Sequence, residues 1–299
     1  MPDFSKLQGW IPTKPKDFEG YMATLPTPYF SEAHPLLKDS GKGKTVLLYE
    51  FVRKVYGKDI AQIQEIGDCV SFGYAHGADY LQCAEICAGD FEEFTELTAT
   101  EYIYGTSRVL IGNGRLGASQ GSYGEWARKA IMQYGVITRK KYAGNIDLTV
   151  YDGQRANSYG YYGPPNNLVD IGRKYPIKTT SLAKTWEEVR DAVCNGYPVP
   201  ICCSYIPRST RDKDGFGYLD QPGGHCQCVI GIKDDNRPGV CILNSWGRFM
   251  NGPVGLDCPQ EAYWIDAEVL EKRVLSEGDS FVISDRVGFP KKELNLRIV

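Results

Sequence analysis

Histidine is scarce in this chain: its 299 residues include three, His34, His76 and His225. A reactive thiol needs a base that takes its proton, so this scarcity limits the possible pairs. His34 precedes a proline in an irregular segment, and His76 lies about 10 Å from Cys69 along the same predicted helix. His225 is therefore the remaining candidate for a general base.

Long apolar runs are also missing. The most apolar stretches, residues 198–206 and 226–232, are much shorter than the ~18–20 residues of a membrane-spanning helix. The first ten residues contain no apolar stretch of the ~7–15 residues that a secretory signal needs. We therefore expect no membrane partner and no export by that route, which favours an intracellular or phage-encoded protein.

Charge of one sign does not accumulate in this sequence. The formal net charge is −3, and Lys and Arg are scattered, so we expect no nucleic-acid partner. The composition, 42% hydrophobic and 24% charged, is typical of a globular chain with one large or two modest domains.

Cysteine, in contrast, is plentiful. The ten cysteines lie in a long chain without an apparent signal, so we expect most of them to be reduced. The pairs Cys202-Cys203 and Cys226/Cys228 lack a second C-x-x-C pair to complete a zinc site. We predict no metal and no cofactor.

One cysteine, Cys69, follows a Gly-Asp turn at the start of a predicted helix over residues 69–87. Asp68 is a suitable N-cap residue, and the positive end of a helix dipole stabilises a thiolate in the first turn. Taken alone, a cysteine among apolar neighbours is about as consistent with inert core as with a nucleophile.

Two motifs near the far end of the chain strengthen the catalytic interpretation. Gly223-Gly224-His225 and Asn244-Ser245-Trp246-Gly247 both lie at the edges of predicted strands. A histidine that takes a proton needs a partner to orient its ring, and an asparagine can do this.

The order Gln, Gly-x-Cys, Gly-His and Asn-Ser-Trp-Gly resembles the papain-like cysteine proteases. The resemblance covers most of the chain and implies a nucleophile, a base, an orienting amide, an indole that shields this amide, and an oxyanion donor. In this sequence they are Cys69, His225, Asn244, Trp246 and Gln64, respectively.

The resemblance also implies substrate-binding positions. Gly121 and Ser122 would present their backbone to an extended substrate, and Gly223 would leave the opposite wall of the cleft without a side chain. The resemblance implies that Trp246 lies near this cleft as well.

The chain departs from the family pattern at several positions. Val70 stands where an aromatic residue is usual, and Ile66 stands where a second cysteine is usual. The family's glutamine usually lies six residues before the nucleophile, where this chain has Ile63, so both Gln62 and Gln64 are alternatives. Gln64 is preferred because it directly precedes the turn that leads to Cys69.

The separations between the catalytic residues are longer than in the family signature. His225 and Asn244 lie 225 − 69 = 156 and 244 − 69 = 175 residues after Cys69, against roughly 130–150. We assign the surplus to one loop, residues 144–172, whose Gly, Pro, Asn and Tyr content predicts turns and irregular structure.

Helices in the first half and strands in the second predict an α+β protein. The resemblance implies a papain-like two-lobed fold: a helical lobe at about 61–175, an antiparallel β-barrel-like lobe at about 176–299, and the active site in the cleft between them. Residues 1–60 are predicted to be an extension that wraps the enzyme. Whether this extension inhibits or only stabilises the enzyme stays open.

The function implied by the resemblance is hydrolysis of peptide bonds through a thioester acyl-enzyme, with a peptide or protein as substrate. One alternative is a thiol amidase or peptidoglycan endopeptidase. A second is a non-catalytic structural or binding protein that retains the fold, for example in a phage particle.

Overall fold

The computed structural model describes residues 4–23, 29–33, 35–90, 96–292 and 294, so His34 lies outside the described residues. The helices are α1 (Pro15–Met22), α2 (Phe30–Ala33), α3 (Leu48–Tyr56), α4 (Cys69–Ala88), α5 (Thr100–Gly105), α6 (Gly124–Gln133), α7 (Gly153–Tyr162), α8 (Asn166–Gly172), α9 (Trp186–Cys194) and α10 (Ala267–Arg273). The strands are β1 (Thr45–Leu47), β2 (Lys141–Tyr142), β3 (Ile146–Asp147), β4 (Thr179–Leu182), β5 (Val199–Arg211), β6 (Gly217–Lys233), β7 (Gly239–Leu243), β8 (Ala262–Asp266) and β9 (Phe281–Ser284).

The largest sheet is antiparallel and is built around β6. The order is β1-β6-β7-β8, and β5 also pairs with β6 over most of its length. Strands β4 and β9 form a second pair, and β2 and β3 form a third. The described strands do not close into a barrel. They form open antiparallel sheets instead of the β-barrel-like lobe that the resemblance implied.

Helix α4 connects the helical part of the chain to the main sheet. Most of its residues are buried, and it packs against β6, β5 and α3. Burial on all sides explains why its apolar residues are not confined to one stripe. No helix in the described ranges is both long enough and apolar enough to cross a membrane.

The predicted irregular structure between residues 144 and 172 is wrong, because α7 and α8 occupy much of this segment. Asp152 caps α7, and its carboxylate accepts hydrogen bonds from the N–H groups of Gln154 and Arg155 at 2.8 and 2.9 Å. The Gly, Pro and Tyr content of the segment predicted turns and therefore gave no indication of these helices. The Asp152 N-cap was the signal that could have revealed α7.

Candidate active site

Cys69 is the first residue of α4 and is fully buried. Asp68 occupies the N-cap position, but its side chain does not cap the helix as predicted. Its Oδ2 instead accepts a hydrogen bond from the Tyr151 hydroxyl at 2.9 Å, which ties the start of α4 to the segment before α7. Burial raises the pKa of Asp68 well above its usual value, and the bond from Tyr151 opposes this rise.

The Cys69 thiol lies against the strand that carries the histidine. Burial raises its pKa, and the neighbouring Cys226 adds to the rise, whereas backbone hydrogen bonds from Cys226 and Gly9 lower it. A thiol in this environment is neutral at physiological pH. The helix start alone therefore does not produce the thiolate that the sequence argument expected in the first turn of α4.

His225 and Asn244 form a hydrogen-bonded pair whose donor and acceptor atoms can be assigned. The Asn244 side-chain oxygen lies 2.8 Å from His225 Nε2 and also accepts the backbone N–H of Ser245 at 2.7 Å. A backbone N–H can only donate, so the Asn244 atom between the two is the oxygen. His225 Nε2 must then carry a proton, which leaves Nδ1 as the basic nitrogen.

This basic nitrogen, His225 Nδ1, is buried and has no hydrogen-bond partner within the described part of the chain. Burial lowers the pKa of His225 to about 4, and the hydrogen bond to Asn244 opposes this shift. The imidazole is therefore neutral at physiological pH. Trp246 stacks on its ring, with the ring centroids 4.3 Å apart and the planes 25° from parallel.

Gln64 reaches the same region from the turn before α4. Its side-chain oxygen accepts the Ser245 hydroxyl at 2.6 Å, and its backbone N–H donates to the Ser245 carbonyl at 2.9 Å. These two bonds orient the side-chain amide, whose N–H groups point to the carbonyl oxygens of Leu7 and Ile66 at 2.8 and 2.6 Å.

Gln62, the alternative glutamine, lies in a different environment. Its amide donates to Asp79 and to the Thr98 carbonyl, and Arg139 donates to its side-chain oxygen. His76 accepts the Gln62 backbone N–H at 3.0 Å, and burial lowers the pKa of this histidine to about 3. Gln62 and His76 thus belong to a buried polar network in the core.

The predicted substrate-binding residues form two walls of a groove. Ser122 follows Gly121, whose φ of +102° favours glycine, and Gly223 lies across from them in β6. The Arg108 side chain donates to the carbonyl groups of residues 117, 119 and 121, which holds the Gly121 wall in place.

Residues 7–11 fill this groove, which no motif in the sequence indicated. Ser122 N–H donates to the Gly9 carbonyl at 2.8 Å, and Ile11 N–H donates to the Ser122 carbonyl at 3.0 Å. From the other wall, the Gly224 carbonyl accepts the N–H of Trp10 at 3.3 Å. Trp10 thus forms an isolated parallel bridge with Ser122 between the two walls, and the short 3-10 helix Phe4–Leu7 precedes it.

The fit of this segment depends on glycines that let two backbones approach closely. A Cβ at Gly9 would lie 2.1 Å from the Gly67 carbonyl oxygen, and one at Gly224 would lie 2.4 Å from the Trp10 carbonyl oxygen. Real Cβ atoms do not make such contacts. Phe4, upstream in the same segment, stacks on Trp246 with ring centroids 4.6 Å apart.

The described residues show no metal site. Within them, no three His, Cys, Asp or Glu side chains form a group that could hold a metal ion. Cys202 and Cys226 are register partners on β5 and β6, and their sulfur atoms lie 2.6 Å apart.

Solved structures with the same architecture are papain-like cysteine proteases. Xylellain, a cysteine protease from Xylella fastidiosa, matches with 18% identity over 94% of this chain and 96% of that one, at a TM-score of 0.58. Digestive procathepsin L 3 from Tenebrio molitor matches with 14% identity over 93% and 83%, at 0.57. Procathepsin B S9 from Trypanosoma congolense matches with 12% identity over 96% and 87%, also at 0.57.

The chain therefore has the fold of the papain-like cysteine proteases, as the resemblance implied. Its residues 116–254 match the model described as the Peptidase_C39 like family. The matched range is somewhat less than half of the chain and includes His225 and Asn244 but not Cys69. A comparison with curated proteins found no match.

Proposed function

We propose that this chain is a cysteine endopeptidase. The observation that carries the proposal is the position of the Leu7 carbonyl, which accepts a hydrogen bond from Gln64 Nε2 at 2.8 Å in a segment that contacts Cys69. A backbone carbonyl of the N-terminal segment, at the end of the short 3-10 helix Phe4–Leu7, thus already occupies the place where a donor beside the thiol would bind a substrate carbonyl.

The proposed reaction uses the groups described above. Cys69 Sγ attacks the substrate carbonyl carbon, and its proton passes to His225 Nδ1. Gln64 Nε2–H and the Cys69 backbone N–H stabilise the oxyanion. The peptide C–N bond then breaks, the leaving amine takes the proton from His225, and a thioester remains. His225 then takes a proton from water, which attacks the thioester carbonyl carbon. The C–S bond breaks, the carboxylic acid product leaves, and His225 returns the proton to the Cys69 sulfur.

We infer that residues 4–11 block the groove and must leave it before a substrate binds. Cys69 and His225 are both fully buried, and Gly9 contacts the thiol directly. Once the segment leaves, water and substrate reach both groups. The burial that keeps them neutral is then relieved, and a thiolate facing a protonated imidazole becomes accessible.

We also propose the domain organisation expected from the sequence: an extension over residues 1–60 and a catalytic domain over 61–299. The latter would divide near residue 175 into a helical lobe and a β lobe, with the groove between them. Helices α4 to α8 precede that point, and strands β4 to β9 follow it. The pairing of β1 with β6 supports a wrapping role for the extension.

Hydrolysis of a mixed peptide library, followed by mass spectrometry, tests the proposed activity. The full chain is compared with its Gly9→Ala variant, in which the clash at Gly67 opens the groove. New ends at internal peptide bonds support an endopeptidase. Cleavage confined to peptidoglycan fragments favours the amidase alternative. No cleavage by the open variant, with Cys69 still reactive towards an alkylating probe, favours a non-catalytic protein.

The two glutamines give a sharper test of the oxyanion site. Gln64→Ala is expected to slow acylation by ~10²–10³-fold, equivalent to roughly 3–4 kcal/mol, because one oxyanion donor is lost. Gln62→Ala is the matched comparison and is expected to lower thermal stability instead, since its amide bonds are buried. Single-turnover kinetics and thermal melts measure both effects, and the reverse pattern would move the role to Gln62.

His225→Ala is expected to lower turnover by ~10²–10⁴-fold, because the imidazole carries the proton in both halves of the reaction. Asn244→Ala should cause a much smaller loss, since its oxygen only orients the ring. Steady-state kinetics on variants with native circular dichroism measure the difference. Equal losses would mean that Asn244 has a structural role or that His225 is not the base.

A further inference from the structure

Two further thiols face each other across β5 and β6. Cys202 and Cys226 are register partners, both fully buried, with their sulfur atoms 2.6 Å apart. The Cys202 N–H donates to the Asp279 carbonyl at 3.0 Å, so it does not donate to β6. The two cysteines thus form a non-hydrogen-bonded pair of the antiparallel ladder, whose Cα atoms lie about 4.5 Å apart. A disulfide spans roughly 4.4–6.8 Å between Cα atoms, so this pair can form one with little movement of the strands.

This dithiol, Cys202 and Cys226, lies beside the proposed nucleophile. Cys226 follows His225 in β6, and its backbone N–H is hydrogen-bonded to the Cys69 sulfur. Its own sulfur packs on α4 at Gly73, where a Cβ would lie 2.7 Å away. Gly73 is one helical turn, about 6 Å, after Cys69. Glycine at this position therefore lets the dithiol lie directly against the helix that carries the nucleophile.

The N-terminal segment covers this region in the blocked chain. Gly9 contacts the Cys69 sulfur, and the Trp10 indole donates to the Asp279 carboxylate at 2.7 Å. Asp279 is also the residue whose carbonyl accepts the Cys202 N–H. Departure of residues 4–11 therefore opens Cys69 and the part of the groove that carries the dithiol in the same movement.

The three thiols differ in reactivity. Burial raises the pKa of both the Cys202 and the Cys226 thiol, whereas the hydrogen bond that Cys202 donates opposes this rise at Cys226. Neutral buried thiols react slowly with small oxidants, because the thiolate is the nucleophile. Cys69 has His225 to take its proton once the groove is open. An oxidant therefore reacts first at Cys69, and Cys226 is the better nucleophile of the dithiol.

We propose that Cys202 and Cys226 are a redox-active dithiol that returns an oxidised Cys69 to its thiol form, with hydrogen peroxide as the oxidant. The pair is then a reversible disulfide site that is used when the groove is open. The inference relies on the reactive Cys69 of the proposed function, but it does not require the chain to cleave peptides.

The reaction transfers two electrons from the dithiol to the peroxide in three steps. The Cys69 thiolate attacks one peroxide oxygen, the O–O bond breaks, and hydroxide leaves a sulfenic acid on Cys69. Cys226 Sγ then attacks Cys69 Sγ, an S–S bond forms, the S–O bond breaks, and the hydroxyl leaves with the Cys226 proton as water. Cys202 Sγ attacks Cys226 Sγ, the bond to Cys69 breaks, and the Cys69 sulfur takes the Cys202 proton. When Cys69 ionises again, its proton joins the hydroxide of the first step, so each peroxide yields two waters.

Peptide mass spectrometry of the Gly9→Ala chain, beside the unchanged chain, tests this reaction without any hydrolysis assay. Alkylation of Cys69 by iodoacetamide in untreated samples identifies the chain in which small reagents reach the thiol faster. With equimolar peroxide, that chain is expected to lose two hydrogen atoms, to contain a Cys202–Cys226 cross-link and to keep Cys69 alkylatable. Dithiothreitol should restore the original mass. Absence of the cross-link overturns the proposal.

Single replacements of the three cysteines in the same chain test the order of the steps, in variants with native circular dichroism. Cys202→Ala should stop after the second step and accumulate a Cys69–Cys226 disulfide. Cys226→Ala should leave the sulfenic acid unresolved, so that Cys69 gains two oxygen atoms as the irreversible sulfinic acid. Cys69→Ala should slow formation of the Cys202–Cys226 disulfide about tenfold or more, because only neutral thiols remain. Equal rates with and without Cys69 would contradict the proposed role.

Cys203→Ala is the matched control. Cys203 is the neighbour of Cys202 in β5 and is also buried, but its side chain lies on the other face of the strand, where its sulfur is 3.3 Å from the Tyr205 carbonyl oxygen. The variant should form the cross-link and recover Cys69 as the parent chain does. Loss of the cross-link in Cys203→Ala, to the extent seen in Cys202→Ala, would overturn the assignment to Cys202.

A second thiol pair must be kept apart from this one. Cys258 is hydrogen-bonded to Cys241, so these two could also lose hydrogen atoms to peroxide. The measurements are therefore repeated with Cys258→Ala, which should leave the Cys202–Cys226 cross-link unchanged. A cross-link that disappears with Cys258→Ala would overturn the proposal.

The dithiol and the peptidase activity can be judged separately. If the open chain cleaves peptides, treatment with peroxide followed by dithiothreitol should leave its turnover nearly unchanged and should lower that of Cys226→Ala about tenfold or more relative to the same variant before treatment. The disulfide pattern without any cleavage overturns the peptidase function and supports the dithiol. Cleavage without the disulfide pattern overturns the dithiol alone.

Discussion

Replacement of Cys69 by Ala is expected to reduce peptide hydrolysis to the uncatalysed background while leaving the fold intact. The thiol is the only group at the start of α4 that can form the thioester, and the smaller side chain fits the same buried position. Turnover in the Gly9→Ala background, together with thermal melting, measures the two effects. Residual hydrolysis at a substantial rate would mean that another group is the nucleophile.

Cys258 is a second thiol that could react with an alkylating reagent, so a control must distinguish it from Cys69. A hydrogen bond from Cys241 lowers the pKa of Cys258, and its side chain is only partly buried. In the blocked chain we expect an alkylating reagent to modify Cys258 before Cys69. In the open chain the order should reverse, and Cys258→Ala should leave turnover unchanged. Modification of Cys203 or Cys226 with Cys69 spared would contradict the proposed mechanism.

Gly9→Ala is expected to raise both peptide hydrolysis and Cys69 alkylation by about 10- to 100-fold. Its new methyl group would lie 2.1 Å from the Gly67 carbonyl oxygen, and overpacking of this kind costs about 1–3 kcal/mol. The turn at Gly67 leads into the buried helix α4, whereas the segment that carries Gly9 is held by a few hydrogen bonds and ring contacts. The segment therefore moves, and the blocked population falls.

Gly20→Ala is the matched control for this prediction. Gly20 lies in α1 of the same N-terminal region, and a Cβ there would meet nothing within 4 Å. The variant should hydrolyse peptides and react with iodoacetamide at the rate of the unchanged chain. A synthetic peptide of residues 4–14 added to the Gly9→Ala chain should restore inhibition. Unchanged rates in Gly9→Ala would show that residues 4–11 do not limit access.

Much of the second half of the fold could be predicted locally. The apolar stretches 198–206 and 226–232 lie largely within β5 and β6. Thr185 is the N-cap of α9, and its hydroxyl accepts the Glu188 N–H at 3.3 Å. These patterns can be recognised in the sequence because they depend only on residues that are a few positions apart. The predicted irregular segment at 144–172 failed for the opposite reason, since its turn-forming residues outnumbered the single cap that marks α7.

The amino-acid sequence alone limited the residues that are available for the chemistry. With three histidines, and with His225 and Asn244 in ordered motifs, the choice of base and orienting partner was nearly forced. Spacing alone did not decide between Gln62 and Gln64, and Gln64 was preferred only because it precedes the turn that leads to Cys69. The tertiary structure places Gln62 in the core network and Gln64 beside Ser245, and no local pattern contains this difference.

Only the tertiary structure showed that residues 7–11 lie between Ser122 and Gly224 and that Trp10 contacts Asp279. The hydrogen bond between Trp10 and Asp279 spans 269 residues, and Ser122 binds Gly9 across more than a hundred. Periodicity, caps and motifs report on neighbours along the chain, whereas a groove is formed by backbone segments that meet only after folding. The composition of residues 4–11 suits an exposed tail equally well, so their burial follows from the surface that the rest of the chain presents.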